Sequence, residues 1–145
     1  MGKNRVVLDT SILITALLSS RGGSFYILSQ LKDKYRFLIN NYVLEETLEV
    51  IEEKLPQKEE IKSHLFSLLG FSKIRILSNP SRSSLKKVSK IINKDDAPVL
   101  ISAVENANFL LTLDKKDFLN PKVLKFAQKY NLSILTPKEF IHKKD

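Results

Sequence analysis

The sequence predicts a three-layer α/β/α fold with a mostly parallel central sheet, and three observations support this prediction. Short apolar runs such as Val6-Val7-Leu8 and residues 109–113 carry no charge, which is typical of strands buried on both faces. These runs alternate with amphipathic segments, as expected when helices cover a parallel sheet. The chain has 145 residues, 43% of them apolar, which is enough for a substantial core. We therefore predict that residues 1–145 form a single domain.

Each element is identified by the period of its apolar residues and by the polar residues that bound it. The predicted strands are residues 5–9, 36–40, 74–77, 109–113 and 133–136. The predicted helices are residues 11–18, 24–33, 42–54, 58–69, 83–93, 97–107, 121–130 and 137–142. Pro98 falls in the first turn of the sixth predicted helix, where a backbone N–H group is not needed. Parallel strands require crossover connections, which we expect to be right-handed.

The composition excludes several classes of protein. The chain has no cysteine, which rules out disulfides, thiolate zinc sites and cysteine nucleophiles and agrees with a cytoplasmic location. Charged or polar residues interrupt every apolar run before it reaches the length of a membrane span, so we expect no membrane association. The first five residues lead directly into a predicted strand and do not resemble a signal peptide.

Positive charge is concentrated in one part of the chain. The net charge is +8, and residues 61–94 contain no acidic residue. The cations of this stretch are Lys62, Lys73, Arg75, Arg82, Lys86, Lys87, Lys90 and Lys94. Such a block favours a partner rich in phosphate, with a solvated lysine surface as the alternative. In the predicted helix 83–93 and just beyond it, Lys87, Lys90 and Lys94 would share one helical face.

Acidic residues follow two of the predicted strands directly. Asp9 ends the first apolar run, and Asp114 ends the run 109–113. Ligands of parallel sheets bind beyond the carboxyl ends of the strands, so these two carboxylates could lie side by side around a divalent cation. Asp117 is three residues after Asp114 and would share its side of a helical turn. The alternatives are a helix cap for Asp9 and an ordinary charged turn for Asp117.

Two further acidic positions lie where predicted helices begin. Of the glutamates in helix 42–54, Glu46 lies in the first turn at the edge of the apolar arc, while Glu45 and Glu49 project toward solvent. A surface glutamate near a helix N-terminus is the alternative for Glu46, and the choice among these three glutamates depends on the helical face alone. Asp95 and Asp96 precede the helix that contains Pro98. We assign Asp95 to the cap and Asp96 to the site.

In this order and spacing, the acidic motifs resemble the PIN domain family of metal-dependent nucleases. The matching segments are Val6-Val7-Leu8-Asp9-Thr10-Ser11, Glu46 in the helix after the second strand, Asp96-Ala97-Pro98-Val99-Leu100-Ile101-Ser102-Ala103, Thr112-Leu113-Asp114-Lys115-Lys116-Asp117-Phe118, and Ser133-Ile134-Leu135-Thr136-Pro137-Lys138-Glu139-Phe140. Ser11 stands where the family usually has Asn, and Leu113 where it often has Gly. The resemblance implies a PIN-like α/β fold over nearly the whole chain.

The resemblance also implies an activity and a set of site residues. The activity would be endonucleolytic hydrolysis of RNA phosphodiester bonds with Mg²⁺ or Mn²⁺, the ions that all-oxygen ligands select. The implied catalytic residues are Asp9, Glu46, Asp96 and Asp114, the implied metal ligands are Asp9, Asp96, Asp114 and Asp117, and the supporting residues are Thr10, Ser11 and Thr112. For contacts with the nucleic acid we assign Lys86, Lys87, Lys90, Lys94, Lys115 and Lys116.

Short PIN proteins resemble the toxin half of toxin–antitoxin pairs, so we expect an RNA substrate and a small antitoxin protein as partners. A homodimer is the default expectation for a soluble oligomer. A housekeeping RNA-processing nuclease and a non-catalytic RNA-binding module are the alternatives. An aspartyl phosphatase would need a second aspartate at the position of Ser11, and a phospho-acceptor domain would need an adjacent acidic pair after the first strand. We assign no catalytic role to His64 or His142.

Overall fold

A computed structural model describes residues 2–143 of the chain. Its strands are β1 (Asn4–Leu8), β2 (Tyr35–Asn40), β3 (Arg75–Leu77), β4 (Phe109–Leu111) and β5 (Ser133–Leu135). Its helices are α1 (Thr10–Leu18), α2 (Gly23–Gln30), α3 (Asn41–Lys54), α4 (Lys58–Phe71), α5 (Arg82–Lys86), α6 (Ala97–Asn106), α7 (Lys115–Phe118), α8 (Pro121–Gln128) and α9 (Pro137–His142). The predicted alternation of strands and helices is therefore confirmed.

The five strands form one parallel sheet in the order β3-β2-β1-β4-β5. Strand β1 lies at the centre, with Val6 level with Phe37 of β2 on one side and with Phe109 of β4 on the other. The chain builds outward from β1 to β3, then returns and builds outward from β4 to β5. The strand order thus reverses between β1 and β4, and a parallel sheet forms its ligand crevice beyond the carboxyl ends of two such strands.

The sheet is covered on both faces. Val6, Val7 and Leu8 follow one another in β1, and each is at most 1% exposed, although successive strand residues point to opposite faces. Leu100 of α6 is fully buried, and this helix packs against β1 and β2. The expected α/β/α layering with a parallel sheet is confirmed, and the burial of β1 explains why its sequence is an unbroken apolar run.

One predicted helix is shorter than expected. The helix assigned to residues 83–93 ends at Lys86, and the chain continues in turns. In these turns the N–H groups of Val88 and Ile91 each bond to the carbonyl three residues earlier. Valine, isoleucine, serine and asparagine make up most of residues 87–93 and favour a helix weakly, and Val88 and Ile92 are buried. The prediction that Lys87, Lys90 and Lys94 share one helical face is therefore wrong.

Within residues 2–143, no single helix is long and apolar enough to cross a membrane. Helices α1 and α2 meet the requirement of length and composition only as a pair, and the pair is bent by 94°.

Candidate active site

Three carboxylates converge beyond the carboxyl ends of the strands. One side-chain oxygen from each of Asp96, Asp114 and Asp117 lies within 4.8 Å of the other two. All three side chains are half-buried. Asp96 lies immediately before α6, whereas the other two belong to the turn that follows β4. Residues from separate parts of the sequence thus meet at the edge of the sheet where ligands of parallel folds bind.

The turn after β4 holds the side chains of Asp114 and Asp117 close to each other. Asp114 is the N-cap of α7, and its Oδ1 accepts a hydrogen bond of 3.1 Å from the backbone N–H group of Asp117. An N-cap and the residue three positions later lie on the same side of the first helical turn. The spacing of the two aspartates in the sequence therefore produces a pair of carboxylates that face one space.

Asp96 is oriented by an asparagine. The Asn93 side chain donates a hydrogen bond of 2.6 Å from Nδ2 to Asp96 Oδ2, while its Oδ1 accepts from the backbone N–H groups of Asp95 and Asp96. Burial, together with the neighbouring Asp117 and Asp114, raises the pKa of Asp96 to about 7 against the lowering effect of the Asn93 hydrogen bond. The three carboxylates of the site therefore repel one another unless a proton or a cation offsets their charge.

The assignment of the cap before α6 needs a correction. Asp96, rather than Asp95, occupies the N-cap position, and its side chain makes no capping hydrogen bond. Asp95 is exposed. The carboxylate of Asp96 is instead held by Asn93 beside Asp114 and Asp117, so the residue assigned to the site also occupies the cap position.

Asp9 directly follows β1 and is only 6% exposed. It caps α1 through a 3.3 Å hydrogen bond from the backbone N–H group of Ile12 to Oδ1. The Ser11 hydroxyl also donates to Oδ1, and the Thr112 hydroxyl donates to Oδ2. Burial raises the pKa of Asp9, although these hydrogen bonds oppose the shift. Asp9 is not a member of the 4.8 Å group, and it caps α1, which is the alternative considered for it in the sequence.

The same two hydroxyl groups connect Asp9 to the turn that carries Asp114. Ser11 Oγ accepts a hydrogen bond of 3.1 Å from the backbone N–H group of Leu113. Thr112 Oγ1 accepts one of 2.9 Å from the backbone N–H group of Asp114. Each hydroxyl therefore donates to the Asp9 carboxylate and accepts from the turn. Ser11, which stands where the resembling motif usually has Asn, therefore joins the Asp9 carboxylate to this turn.

Glu46 is the half-buried glutamate of its helix turn, whereas Glu45 and Glu49 are exposed. The Thr10 hydroxyl donates a hydrogen bond to Glu46 Oε1. Burial raises the pKa of Tyr42 to about 12, and the negative charges of Glu46, Asp95 and Asp96 contribute to the shift. Glu46 and Asp96 therefore act on the same phenol. Glu46 is not part of the 4.8 Å group and lies at the border of the site.

Two asparagines that support the site were not predicted from the sequence. One is Asn93. The other is Asn40, which is 1% exposed, caps α3 through the backbone N–H group of Val43 and donates hydrogen bonds to Pro98 O (3.1 Å) and Ser102 Oγ (2.8 Å). Asn40 therefore connects the helix of Glu46 with the helix that follows Asp96. Its place at the end of a strand and before a helix is a capping signal, but its contacts with α6 have no signal in the sequence.

The lysines assigned to nucleic acid are all on the surface. Lys115 and Lys116 lie on α7 directly beside Asp114, and both are exposed. The other four, Lys86, Lys87, Lys90 and Lys94, are exposed at the end of α5 and in the turns before α6. Exposed lysines therefore precede Asp96 and follow Asp114 in the sequence.

The residues present fit a hard divalent cation. Three carboxylate oxygens within 4.8 Å can reach one ion, and oxygen ligands are those that Mg²⁺ and Mn²⁺ prefer. The raised pKa of Asp96 reflects repulsion among these carboxylates as well as burial. A cation between the three acids would offset that repulsion. The donor set contains no nitrogen or sulfur, which makes zinc a poor fit.

Comparisons with solved structures place the fold among known ones. VapBC2 from Rickettsia felis, bound to a DNA fragment from its promoter, has a chain that is 23% identical, with a TM-score of 0.64 over 91% of this chain and 98% of that one. DNA-bound VapBC from Salmonella typhimurium is 14% identical, with a TM-score of 0.65 over 92% and 98%. FitAcB from Neisseria gonorrhoeae is 19% identical, with a TM-score of 0.61 over 92% and 98%.

A comparison with curated protein sequences gives no match. The family model of the PIN domain matches residues 5–116, which is more than half of the chain and includes the segments around Asp9, Glu46, Asp96 and Asp114. The resemblance noted in the sequence and the parallel sheet with its acidic edge agree with this match. The chain belongs to the PIN domain family.

Proposed function

We propose that this PIN domain is a ribonuclease that depends on Mg²⁺ or Mn²⁺ and cleaves RNA phosphodiester bonds internally. The observation that carries the proposal is the group of Asp96, Asp114 and Asp117, whose oxygens lie within 4.8 Å of one another at the reversal of strand order. Membership of the PIN family supports nuclease chemistry at this place. A binding module alone would have no use for carboxylates that repel phosphate.

In the proposed site Asp96, Asp114 and Asp117 would hold the cation, and Asp9 would complete the acidic cluster. An ion bound there would supply positive charge to a phosphodiester oxygen and to a water molecule. Ser11 and Thr112 keep the Asp9 carboxylate in place, and Asn93 does the same for Asp96. Glu46, held by Thr10, is positioned to accept a proton at the border of the site.

The substrate proposal rests on charge. The net charge of +8 and the exposed lysines on both sides of the cluster favour a polyanion. Lys115 and Lys116 would bind the region of the scissile bond, and Lys86, Lys87, Lys90 and Lys94 would bind more distant phosphates. Such contacts give affinity with little sequence preference.

The proposed test is cleavage of a labelled single-stranded RNA by the purified protein with Mn²⁺. EDTA and the variant Asp114→Asn should each abolish cleavage, because one removes the cation and the other weakens its ligand set. Asp33→Asn is the matched control, since Asp33 is an aspartate outside the cluster. Binding of RNA without any cleavage by the wild-type protein would favour the non-catalytic alternative. Cleavage that persists in Asp114→Asn would contradict the assigned site.

We further propose that the protein is the toxin of a toxin–antitoxin pair and acts in the cytoplasm. The likeness of the fold to chains of the VapBC and FitAcB structures supports this role. An open apolar groove between α1, α2 and α4 also supports a protein partner. It is lined by Ala16, Leu17, Leu18, Ser20, Phe25, His64, Ser67, Leu68 and Phe71. Leu18 and Phe71 are 54% and 56% exposed, and exposed apolar patches commonly bind partners.

The occupant proposed for this groove is an apolar and acidic segment of the antitoxin. Lys32 Nζ lies 4.3 Å from the centroid of the Phe71 ring, which places a cation at the rim beside apolar surface. Expression of the wild-type protein should arrest bacterial growth, and Asp114→Asn should not. A small protein selected because it restores growth should lose that ability against Phe71→Ser, a variant expected to retain cleavage. Equal neutralisation of both forms would place the contact elsewhere.

The expected homodimer and the role in toxin–antitoxin biology are separate questions. Sedimentation equilibrium measures whether the protein is the expected homodimer. Absence of growth arrest, combined with specific cleavage of one RNA in vitro, would favour the housekeeping nuclease instead.

A further inference from the structure

A second cleft lies next to the acidic group, between α7 and α9. Its volume is about 650 Å³, and it is lined by Lys115, Leu119, Thr136, Lys138, Glu139 and His142. Lys138 and His142 come from the last helix, far from the basic block of residues 61–94. Lys138 lies in the last segment that carries the family resemblance, but neither it nor His142 was assigned a function from the sequence.

Residues that line the cleft are next in sequence to residues of the site. Lys115 lines the cleft and directly follows Asp114, one of the three aspartates of the 4.8 Å group. The backbone N–H group of Thr112 donates a hydrogen bond of 3.1 Å to the carbonyl of Leu135 at the end of β5. Thr136, the next residue, lines the cleft and caps α9. The cleft therefore lies at the carboxyl ends of β4 and β5, on the side of the site away from β2.

The lining of the cleft has more positive than negative formal charge. Lys115 and Lys138 are exposed, and neither forms an ion pair with another residue in the described part of the chain. The one acidic residue of the lining, Glu139, accepts a hydrogen bond of 2.9 Å from the backbone N–H group of Thr136 and completes a capping box. Its carboxylate is held at the start of α9 and forms no ion pair with either lysine, so the lining has two exposed ammonium groups and one carboxylate.

We propose that this cleft binds backbone phosphates of the RNA strand on one side of the scissile bond. The proposal rests on the proposed ribonuclease function and adds Lys138 and His142 to the residues that bind substrate. An acidic cluster repels the phosphates next to the one being cleaved, so a substrate strand needs cations along its path. A groove with positive charges that follows the backbone is the general solution for single-stranded nucleic acid.

The chemistry of the lining suits a sugar–phosphate chain. Lys115 and Lys138 provide ammonium groups for phosphate oxygens, and the imidazole of His142 can donate an N–H group to a phosphate or a 2′-hydroxyl oxygen. Leu119 supplies apolar surface for a ribose or the edge of a base. Phenylalanine, tyrosine and tryptophan are missing from the described lining, so the cleft contributes affinity along the backbone rather than stacking on aromatic rings.

The test is binding of a fluorescent single-stranded RNA, about twelve nucleotides long, in EDTA, measured by anisotropy over a series of salt concentrations. We expect Lys138→Ala/His142→Ala to weaken binding roughly tenfold at low salt. The slope of log K against log salt should fall by about 0.7 for each phosphate that the variant no longer neutralises. Lys138→Arg should retain binding, because it keeps the charge. Lys125→Ala/Lys129→Ala, which removes two exposed lysines of the α8 region, is the matched control and should change binding less than about twofold.

The outcomes separate this proposal from the proposed function. If the wild-type protein cleaves RNA with Mn²⁺ and the Lys138→Ala/His142→Ala variant binds and cleaves as the wild type does, the cleft has no role and the nuclease proposal stands. If Lys125→Ala/Lys129→Ala weakens binding as much as the cleft variant or more, positive charge anywhere on the surface accounts for binding, and the cleft proposal is overturned. If the wild-type protein neither binds nor cleaves RNA, both proposals fail together.

Discussion

The hydroxyl group of Thr112 donates a hydrogen bond to the carboxylate of Asp9, although the two residues are 103 positions apart in the chain. The same hydroxyl accepts a hydrogen bond of 2.9 Å from the backbone N–H group of Asp114. One buried oxygen atom therefore connects the end of β1 with the turn that carries the proposed metal ligands. The position of Asp114 depends on this connection as well as on its own helix cap.

Thr112→Val should lower both stability and activity. Valine has nearly the shape of threonine but cannot donate to Asp9, whose buried Oδ2 would lose its hydrogen bond. A buried polar atom without a partner costs about 1–3 kcal/mol of the free energy of unfolding. Urea denaturation should show a loss of this size, and Mn²⁺-dependent cleavage of RNA should fall. Thr112→Ser keeps the hydroxyl and serves as the control. Wild-type behaviour of Thr112→Val would show that the hydroxyl does not hold the site together.

Divalent cations should raise the melting temperature of the protein. An ion that binds only the folded cluster stabilises it by about 2.7 kcal/mol when its concentration is about a hundred times Kd, or roughly 5–10 °C for a domain of this size. Differential scanning fluorimetry with MnCl₂, MgCl₂ and NaCl at matched ionic strength measures the effect. Asp96→Asn, Asp114→Asn and Asp117→Asn should each reduce the rise, because each removes a member of the 4.8 Å group. An equal rise in all three variants would contradict this ligand set.

Without metal, stability should decrease as the pH rises through the acidic and neutral range. Folding raises the pKa of Asp96 from the ordinary 3.8 to about 7, so the folded protein keeps a proton that the unfolded chain releases. The stability present below about pH 4 is then lost progressively up to about pH 7. Burial shifts the pKa of Asp9 in the same direction and adds to the loss.

Urea denaturation in EDTA at several pH values from about 4.5 to 7.5 tests this dependence. Asp96→Asn cannot ionise, so its stability should fall less with pH than that of the wild-type protein. The slope that remains belongs to other groups, including Asp9. Parallel curves for the two proteins would mean that the pKa of Asp96 is not raised by folding.

Glu46→Gln should reduce cleavage while Glu45→Gln should not. Glu46 is half-buried and accepts a hydrogen bond from Thr10, whereas Glu45 is exposed one residue earlier in the same helix. The two variants carry the same chemical change at adjacent positions, which makes them a matched pair. The initial rate of RNA cleavage is the readout, and circular dichroism checks that both fold. Equal rates in the pair would remove Glu46 from the catalytic residues.

The local sequence was sufficient for most of the fold. The run Val6-Val7-Leu8 has no polar residue because both faces of β1 are covered, and this pattern alone indicates a parallel sheet. Pro98 correctly marks the first turn of α6. The segment after Lys86 shows where such reasoning fails. Val88 and Ile92 are buried as a helix would predict, but they lie in turns. The spacing of the apolar residues fits a helix, but the N–H groups of Val88 and Ile91 form turn hydrogen bonds to the carbonyls three residues earlier.

The sequence by itself determined the residue types of the site, since each aspartate follows a strand or begins a helix, and a parallel sheet collects those positions at one edge. The tertiary structure decided which of them meet. It groups Asp96 with Asp114 and Asp117, joins Asp9 to the turn of Asp114 through Thr112, and adds the supporting bond of Asn93. It also brings Lys138 and His142 beside Lys115. Hydrogen bonds and clefts between distant segments depend on strand order and on side-chain packing, and neither has a periodic signal that the sequence could display.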